Sequence, residues 1–90
     1  MRALGLITFY TAVGEEVRAW LLPEGATALD AAGRVHTDIA RGFIRAEVVS
    51  FDDLVQSQSM KEAKHLGKLR LEGRDYKVQD GDILNVRFNV

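Results

Sequence analysis

The sequence lacks cysteine and has a single proline among its 90 residues. Without thiols the chain has neither a disulfide framework nor a thiolate zinc site, which agrees with a reducing, cytoplasmic setting. One proline argues against a linker or a disordered tail. No apolar run approaches the roughly 20 residues that a membrane-spanning helix needs, so we expect no membrane partner.

Motifs for nucleotide binding and catalysis are also missing. A P-loop requires GxxxxGK[ST], but the only Gly-Lys pair, Gly67-Lys68, is followed by leucine. The two histidines, His36 and His65, lie far apart in the sequence and have no histidine at helical spacing. Three serines lie near expected helix starts, where capping explains them: Ser50, Ser57 and Ser59. We therefore expect no catalytic residue, no metal site and no cofactor in this chain.

Charge is distributed unevenly along a chain whose net charge is −1. Residues 1–60 carry five basic and eight acidic groups, whereas residues 61–77 carry six basic groups against three acidic ones. The basic groups of that segment are Lys61, Lys64, Lys68, Arg70, Arg74 and Lys77. Such a segment is typical of a solvated face, and it is also compatible with an edge that faces RNA.

Hydrophobic patterning predicts strands at both ends of the chain. Residues 6–11 and 17–22 are rich in β-branched and aromatic side chains and predict a hairpin whose turn is Ala12-Val13-Gly14-Glu15. In residues 43–49, alternation predicts that Ile44 shares a buried face with Ala46 and Val48, with Arg45 and Glu47 outside. A last strand is predicted around residues 84–88. Segments 69–71 and 76–78 flank a turn and predict a further small hairpin.

Capping signals predict the helices. Thr27, with Asp30 three residues later, marks the start of a helix whose alanines allow it to lie close to a sheet. Ser59 and Glu62 mark a shorter helix. The order is a hairpin, a packed helix and further strands, which indicates a single α+β domain over residues 1–90. We expect the β-grasp, or ubiquitin-like, architecture: a mixed sheet with one main helix packed across it and the last strand beside the first.

The stretch His36-Thr37-Asp38 allows two interpretations. A histidine near a helix C-terminus interacts well with the last carbonyls, and Asp38 is expected to cap a second short turn that ends at Gly42. Alternatively, the stretch is a recognition element, because an imidazole can stack on a base or donate to a phosphate or ribose. In that interpretation three nearby arginines add phosphate contacts: Arg34, Arg41 and Arg45.

Two long segments resemble the C-terminal TGS domain of the YchF family of Obg-like translation ATPases. They are VRAWLLPEGATALDAAGRVHTDIARGFIRAEVVSFDDL and KEAKHLGKLRLEGRDYKVQDGDILNVRFNV. Within them, the strand GFIRAEV, the segment KLRLEGRDYKVQDGD and the terminal RFNV occur together in that family. Residues 57–61 depart from it, because family members often carry a glycine-rich loop there.

The resemblance implies a β-grasp fold and a cytoplasmic parent protein with P-loop ATPase and coiled-coil domains that are absent from this chain. ATP and Mg²⁺ are expected in that parent domain. The implied function is a non-catalytic, monomeric TGS module that contributes to ribosome or structured RNA engagement. The alternative is a regulatory module that docks on the parent ATPase domain or on an activator protein, with Trp20 or Phe43 as exposed contact points. Trp20 can equally belong to the core, which is the commoner place for tryptophan.

A similar His-Thr-Asp stretch lies near the tRNA acceptor end in related stringent-response enzymes, which supports an RNA-contact role for the same stretch here. Together with the basic segment, the candidate RNA-binding or partner-binding residues are Arg34, His36, Thr37, Asp38, Arg41, Arg45, Lys61, Lys64, Lys68, Arg70 and Arg74.

Overall fold

A computed structural model describes residues 5–13 and 16–89, and in this range the chain folds into one five-stranded sheet with four short helices. The strands are β1 (Leu6–Val13), β2 (Glu16–Pro23), β3 (Phe43–Ser50), β4 (Arg70–Glu72) and β5 (Asp82–Phe88). The helices are α1 (Ala28–Val35), α2 (Thr37–Arg41), α3 (Phe51–Ser57) and α4 (Met60–His65).

The strand order is β2-β1-β5-β3-β4, with β1 and β5 parallel and the other neighbours antiparallel. This order confirms the β-grasp fold, including the predicted placement of the last strand beside the first. The β1–β2 hairpin pairs from Leu6 with Pro23 to Val13 with Glu16. The prediction that Ala12 and Val13 belong to the turn is wrong, because both lie in β1 and pair with β2. The rest of the predicted turn, Gly14-Glu15, lies outside the described residues.

Two clusters of buried side chains lie on opposite faces of the sheet. Val48 and Leu84 belong to the larger cluster, which packs against the alanines of α1. Their chain neighbours Val49 and Ile83 belong to the smaller cluster, which packs against α3 and α4. Because successive side chains of a strand point to opposite faces, α1 lies over one face of the sheet and the α3–α4 pair lies over the other.

The start of α1 is fixed by the predicted cap. The Thr27 side chain accepts a hydrogen bond from the Asp30 amide, and the Asp30 side chain accepts one from the Thr27 amide. These reciprocal bonds form the predicted capping box and satisfy two amides that have no partner within the helix.

Ser50 and Ser59 likewise cap α3 and α4, as predicted. Ser57 is the buried last residue of α3, so the prediction that it lies near a helix start is wrong. No helix within residues 5–13 and 16–89 has the length and apolar character to cross a membrane.

A β-bulge changes the predicted pattern of β3. The register against β5 shifts between Phe43 and Arg45, so Phe43 is 6% exposed and Ile44 is 54% exposed. An extra residue in one strand moves the preceding side chain onto the other face, and here the larger aromatic ring enters the core. The predictions that Ile44 is buried and that Phe43 is an exposed contact point are therefore wrong.

The predicted hairpin between residues 69–71 and 76–78 is also wrong. Arg70–Glu72 pairs with β3 instead, and Lys77 forms an isolated bridge with Thr27. The amide of Ala28 donates to the Tyr76 carbonyl at 2.8 Å. The first amides of a helix need partners outside the helix, and residues 74–78 supply them here rather than pairing with β4.

Candidate functional site

His36 joins two helices. Its backbone amide donates to the Ala32 carbonyl at 2.9 Å and ends α1, which confirms the predicted helix-closing role. Its Nδ1 accepts a hydrogen bond from the Asp38 amide at 3.0 Å and begins α2. The prediction that Asp38 caps this turn is wrong, because the histidine two residues earlier supplies the capping acceptor.

This capping bond defines the chemistry that His36 offers to a ligand. A neutral imidazole that accepts at Nδ1 carries its proton at Nε2. The side chain is 62% exposed, so it presents a donor to solvent. The same Nδ1 lies 3.8 Å from the Asp38 carboxylate.

Charges near the α1–α2 junction are partly neutralised. Arg41 Nη1 lies 3.5 Å from Asp38 Oδ1, with both side chains largely exposed. Arg34, in the last turn of α1, instead extends over the indole ring of Trp20 on β2. Within the described part of the chain, Arg34 is therefore the cation of this junction that has no carboxylate partner.

Trp20 is half-buried at the centre of a cationic cluster that the sequence analysis did not identify. The guanidinium carbons of Arg18 and Arg34 lie 5.8 and 5.7 Å from the ring centroid. The indole Nε1 donates to Thr11 Oγ1 at 3.0 Å, and the ring lies nearly parallel to that of Phe9. Arg18 and Trp20 are two residues apart on β2, so both side chains lie on one face of the sheet. This spacing is the feature of the sequence that could have indicated the cluster.

A groove starts beside this cluster and follows the C-terminal end of α1. Its first part has a volume of about 270 Å³ and is lined by Thr11, Glu16, Arg18, Trp20 and Val35. Its second part, about 150 Å³, is mainly apolar; it shares Thr11 and Val35 with the first and adds Ala12, Ile39, Leu84, Asn85, Val86 and Phe88. The two parts adjoin, because both are lined by Thr11 and Val35, and together they are called the α1 groove below.

The other predicted residues lie elsewhere. Arg45 lies opposite Arg87 in the β3–β5 pair, on the face away from α1. Arg87 has a carboxylate partner in Glu47, at 3.5 Å. Glu47 was expected outside, but it is 7% exposed and also accepts from Asn85 Nδ2 at 2.8 Å.

The basic segment does not form one surface. Lys61 and Lys64 lie on α4 and Lys68 follows its end, all exposed and on the opposite side of the sheet from α1. Arg74 is exposed in a turn, and its backbone carbonyl accepts a hydrogen bond from the Leu29 amide. The structure thus places the predicted residues in two separate groups. One group lies at the α1–α2 junction, and the other consists of the lysines of α4.

Arg70 is held in an internal network. Its Nη2 donates to Tyr76 Oη at 3.3 Å and lies 3.8 Å from Asp82 Oδ1, while its guanidinium stacks on the Tyr76 ring. Tyr76 Oη donates to Asp82 Oδ2 at 2.6 Å. Burial, together with the hydrogen bond and the charge of Asp82, raises the pKa of Tyr76 to about 12. These contacts direct the Arg70 charge inward.

Comparisons with known proteins agree with the fold. The family YchF-GTPase_C, described as a protein of unknown function (DUF933), matches residues 6–89. The chain is similar to Ribosome-binding ATPase YchF of Escherichia coli O157:H7, with 52% identity over 89 residues, 99% of this chain and 24% of that protein. Identity to the protein of that name from Bacillus subtilis (strain 168) is 53% over 87 residues, 97% of this chain and 24% of that protein.

Solved structures include a close structural match. The Schizosaccharomyces pombe YchF GTPase has a TM-score of 0.86 and 32% sequence identity over 96% of this chain and 23% of that protein. The chain therefore spans about a quarter of the length of the relatives that it matches.

Proposed function

Since the chain belongs to the YchF family as its TGS-type C-terminal domain, we propose that it is a non-catalytic module through which a larger ATPase engages the ribosome. The observation that carries the proposal is the match of 99% of the chain to a protein named ribosome-binding ATPase. In this proposal ATP and Mg²⁺ act in the rest of the parent protein, and this domain supplies binding surface.

The lysines of α4 are the best candidates for contacts with RNA phosphates. Lys61 and Lys64 are three residues apart on a helix, which places them on neighbouring parts of its surface. Neither they nor Lys68 forms an ion pair with a carboxylate within the described part of the chain. Their charge is therefore available to a polyanion, whereas Arg41 and Arg70 already have carboxylate partners.

Ribosome pelleting at low and moderate salt tests the proposal. Replacing Lys61, Lys64 and Lys68 by glutamine should weaken binding to ribosomes. Each lost phosphate contact should reduce the magnitude of the slope of log affinity against log salt by about 0.7 to 0.9, so by about 2 to 3 for the three lysines. The matched control replaces Arg34, Arg41 and Arg45 by glutamine, which removes the same charge on other surfaces. Absence of binding at both salt concentrations, or an unchanged slope in the α4 variant, would contradict the proposal.

The alternative is a protein-binding module that docks on the parent ATPase domain or on an activator. The α1 groove favours this alternative, because it offers apolar surface beside two arginines. Binding of a purified partner protein that survives the α4 substitutions, without binding of ribosomes, would support it.

A further inference from the structure

The α1 groove ends in an apolar slot at a gap in the sheet. Within the described residues, parallel pairing of β1 with β5 stops at Thr11 and Leu84, although β5 continues to Phe88. Side chains from both faces of the sheet border the slot, among them Ala12 and Asn85 from the face away from α1. A cavity of about this volume can hold a benzene ring, so the slot matches one large apolar side chain.

The gap leaves part of a strand edge available. One edge of β5 pairs with β3 along the whole strand, from Asp82 to Phe88. Beyond Leu84, the other edge has no partner strand within residues 5–13 and 16–89. Unpaired amides and carbonyls at a sheet edge accept an added extended segment. A ligand in extended conformation would therefore gain backbone hydrogen bonds while it fills the slot.

The opposite end of the groove favours a negative charge. Arg18 and Arg34 each lie close to the Trp20 ring, and neither forms an ion pair with a carboxylate in the described part of the chain. Arg18 and Glu16 line this end of the groove and Arg34 lies beside it on the same ring, so two guanidinium groups outnumber one carboxylate near this end. The aromatic ring restrains both guanidinium groups, which lowers the entropy lost when they bind an anion.

We propose that the α1 groove binds an extended protein segment through one carboxylate and one bulky apolar side chain. The carboxylate lies against Arg18 and Arg34, and the apolar side chain enters the slot. Both parts of the groove share Thr11 and Val35, so the two ligand groups are close neighbours. In an extended chain, neighbours on one face are two residues and about 7 Å apart, which gives the motif Glu-x-Leu.

A protein segment fits this groove better than an unpaired nucleotide. The two polar side chains that line the slot already have partners, since Thr11 accepts from Trp20 and Asn85 donates to Glu47. The other side chains that line the slot are apolar and offer the polar edges of a base no hydrogen bonds. Burying polar groups without partners is unfavourable. The inference does not depend on ribosome engagement, which is assigned to the lysines of α4.

The test is an amide NMR titration of the 90-residue chain with the capped peptide STETLTS. The amides of Thr11, Val35 and Val86 should shift on binding. Two matched peptides, STKTLTS and STETSTS, remove the charge match and the apolar group respectively. STKTLTS should bind about fivefold more weakly, because it loses an exposed ion pair worth up to about this factor and meets repulsion from the arginines instead. STETSTS should bind at least about tenfold more weakly, because the slot stays unfilled. Equal affinity of the three peptides, or no shift with STETLTS, would overturn the proposal.

A charge reversal provides the decisive variant. Arg18→Glu with Arg34→Glu alters two exposed side chains, so the fold is expected to persist, and unchanged dispersion of the amide spectrum checks this. The double variant should no longer bind STETLTS and should bind STKTLTS instead. The control Arg74→Glu, in an exposed turn far along the chain, should still prefer STETLTS. Retention of STETLTS by the double variant, or groove shifts with hexauridylate in place of the peptide, would refute the assignment.

Discussion

Tyr76 and Asp82 are joined by a short side-chain hydrogen bond, 2.6 Å from the phenol Oη to the carboxylate Oδ2. Asp82 is 3% exposed at the start of the central strand and also accepts from the Gln79 amide at 2.9 Å. The bond therefore joins the turn before β5 to the segment that runs beside the start of α1. A buried carboxylate requires such partners, because burying a charge without them is costly.

Tyr76→Phe should lower the free energy of unfolding by about 2 kcal/mol, because it leaves the buried carboxylate with one partner fewer. Urea denaturation measures this change. Tyr10→Phe is the matched control: the Tyr10 ring packs on Phe51, and its hydroxyl has no hydrogen-bond partner among the described residues. The control should change stability by less than about 0.5 kcal/mol. Equal losses in the two variants would show that the bond to Asp82 contributes no stability.

Stability should fall at alkaline pH through the same phenol. The pKa of Tyr76 is about 12 in the folded chain, against about 10 in an unfolded one. A group whose pKa is raised by folding stabilises the fold fully below pH 10, and this contribution is lost as pH rises through 12. The stability difference between the unmodified chain and Tyr76→Phe should therefore shrink between pH 10 and pH 12. Urea unfolding across this range measures it, and a constant difference would contradict the linkage.

His36→Ala should lower the free energy of unfolding by about 1 kcal/mol, since it removes the acceptor that caps α2. His36→Asn should restore most of the loss, because asparagine is a favourable N-cap residue. Thermal or urea unfolding measures both variants. If asparagine destabilises as much as alanine, the imidazole stabilises the junction through something other than the cap. Measuring the ribosome affinity of His36→Asn then distinguishes the two roles of His36. Asparagine keeps the capping acceptor but lacks the imidazole that would contact RNA.

Two glycines should respond oppositely to alanine. A Cβ on Gly42 would lie 2.2 Å from the Asn89 carbonyl oxygen, so Gly42→Ala should cost about 2 kcal/mol or more. A Cβ on Gly33, within α1, would meet only Ala40 Cβ at 3.6 Å. Gly33→Ala should therefore add about 0.5 to 1 kcal/mol from helix propensity. Urea unfolding of both variants checks the signs, and a destabilised Gly33→Ala would show that α1 and α2 pack too tightly for a methyl group.

Local signals predicted the elements whose partners lie close in sequence. The Thr27–Asp30 box, the β1–β2 hairpin and the closing role of His36 all depend on residues within a few positions or across one tight turn. Their hydrogen bonds are therefore determined by spacing alone. The same holds for the caps supplied by Ser50 and Ser59.

Features created by distant pairing could not be predicted in this way. The bulge that exposes Ile44 arises from the register of β3 against β5, and Lys77 pairs with Thr27 rather than with β4. The cluster on Trp20 likewise needs β2 and α1 to meet, and the sequence distinguishes neither arginine from other surface cations. The roles of the candidate RNA-binding residues stay predictions.

The position of β5 at the middle of the sheet makes the domain an all-or-none unit. Without residues 82–88, β2-β1 and β3-β4 would be two separate ribbons with no strand between them, and isolated two-stranded ribbons are marginally stable at best. Because β5 follows the other strands in the sequence, the β1–β2 hairpin must wait during synthesis until β5 has been made before it can join a stable sheet.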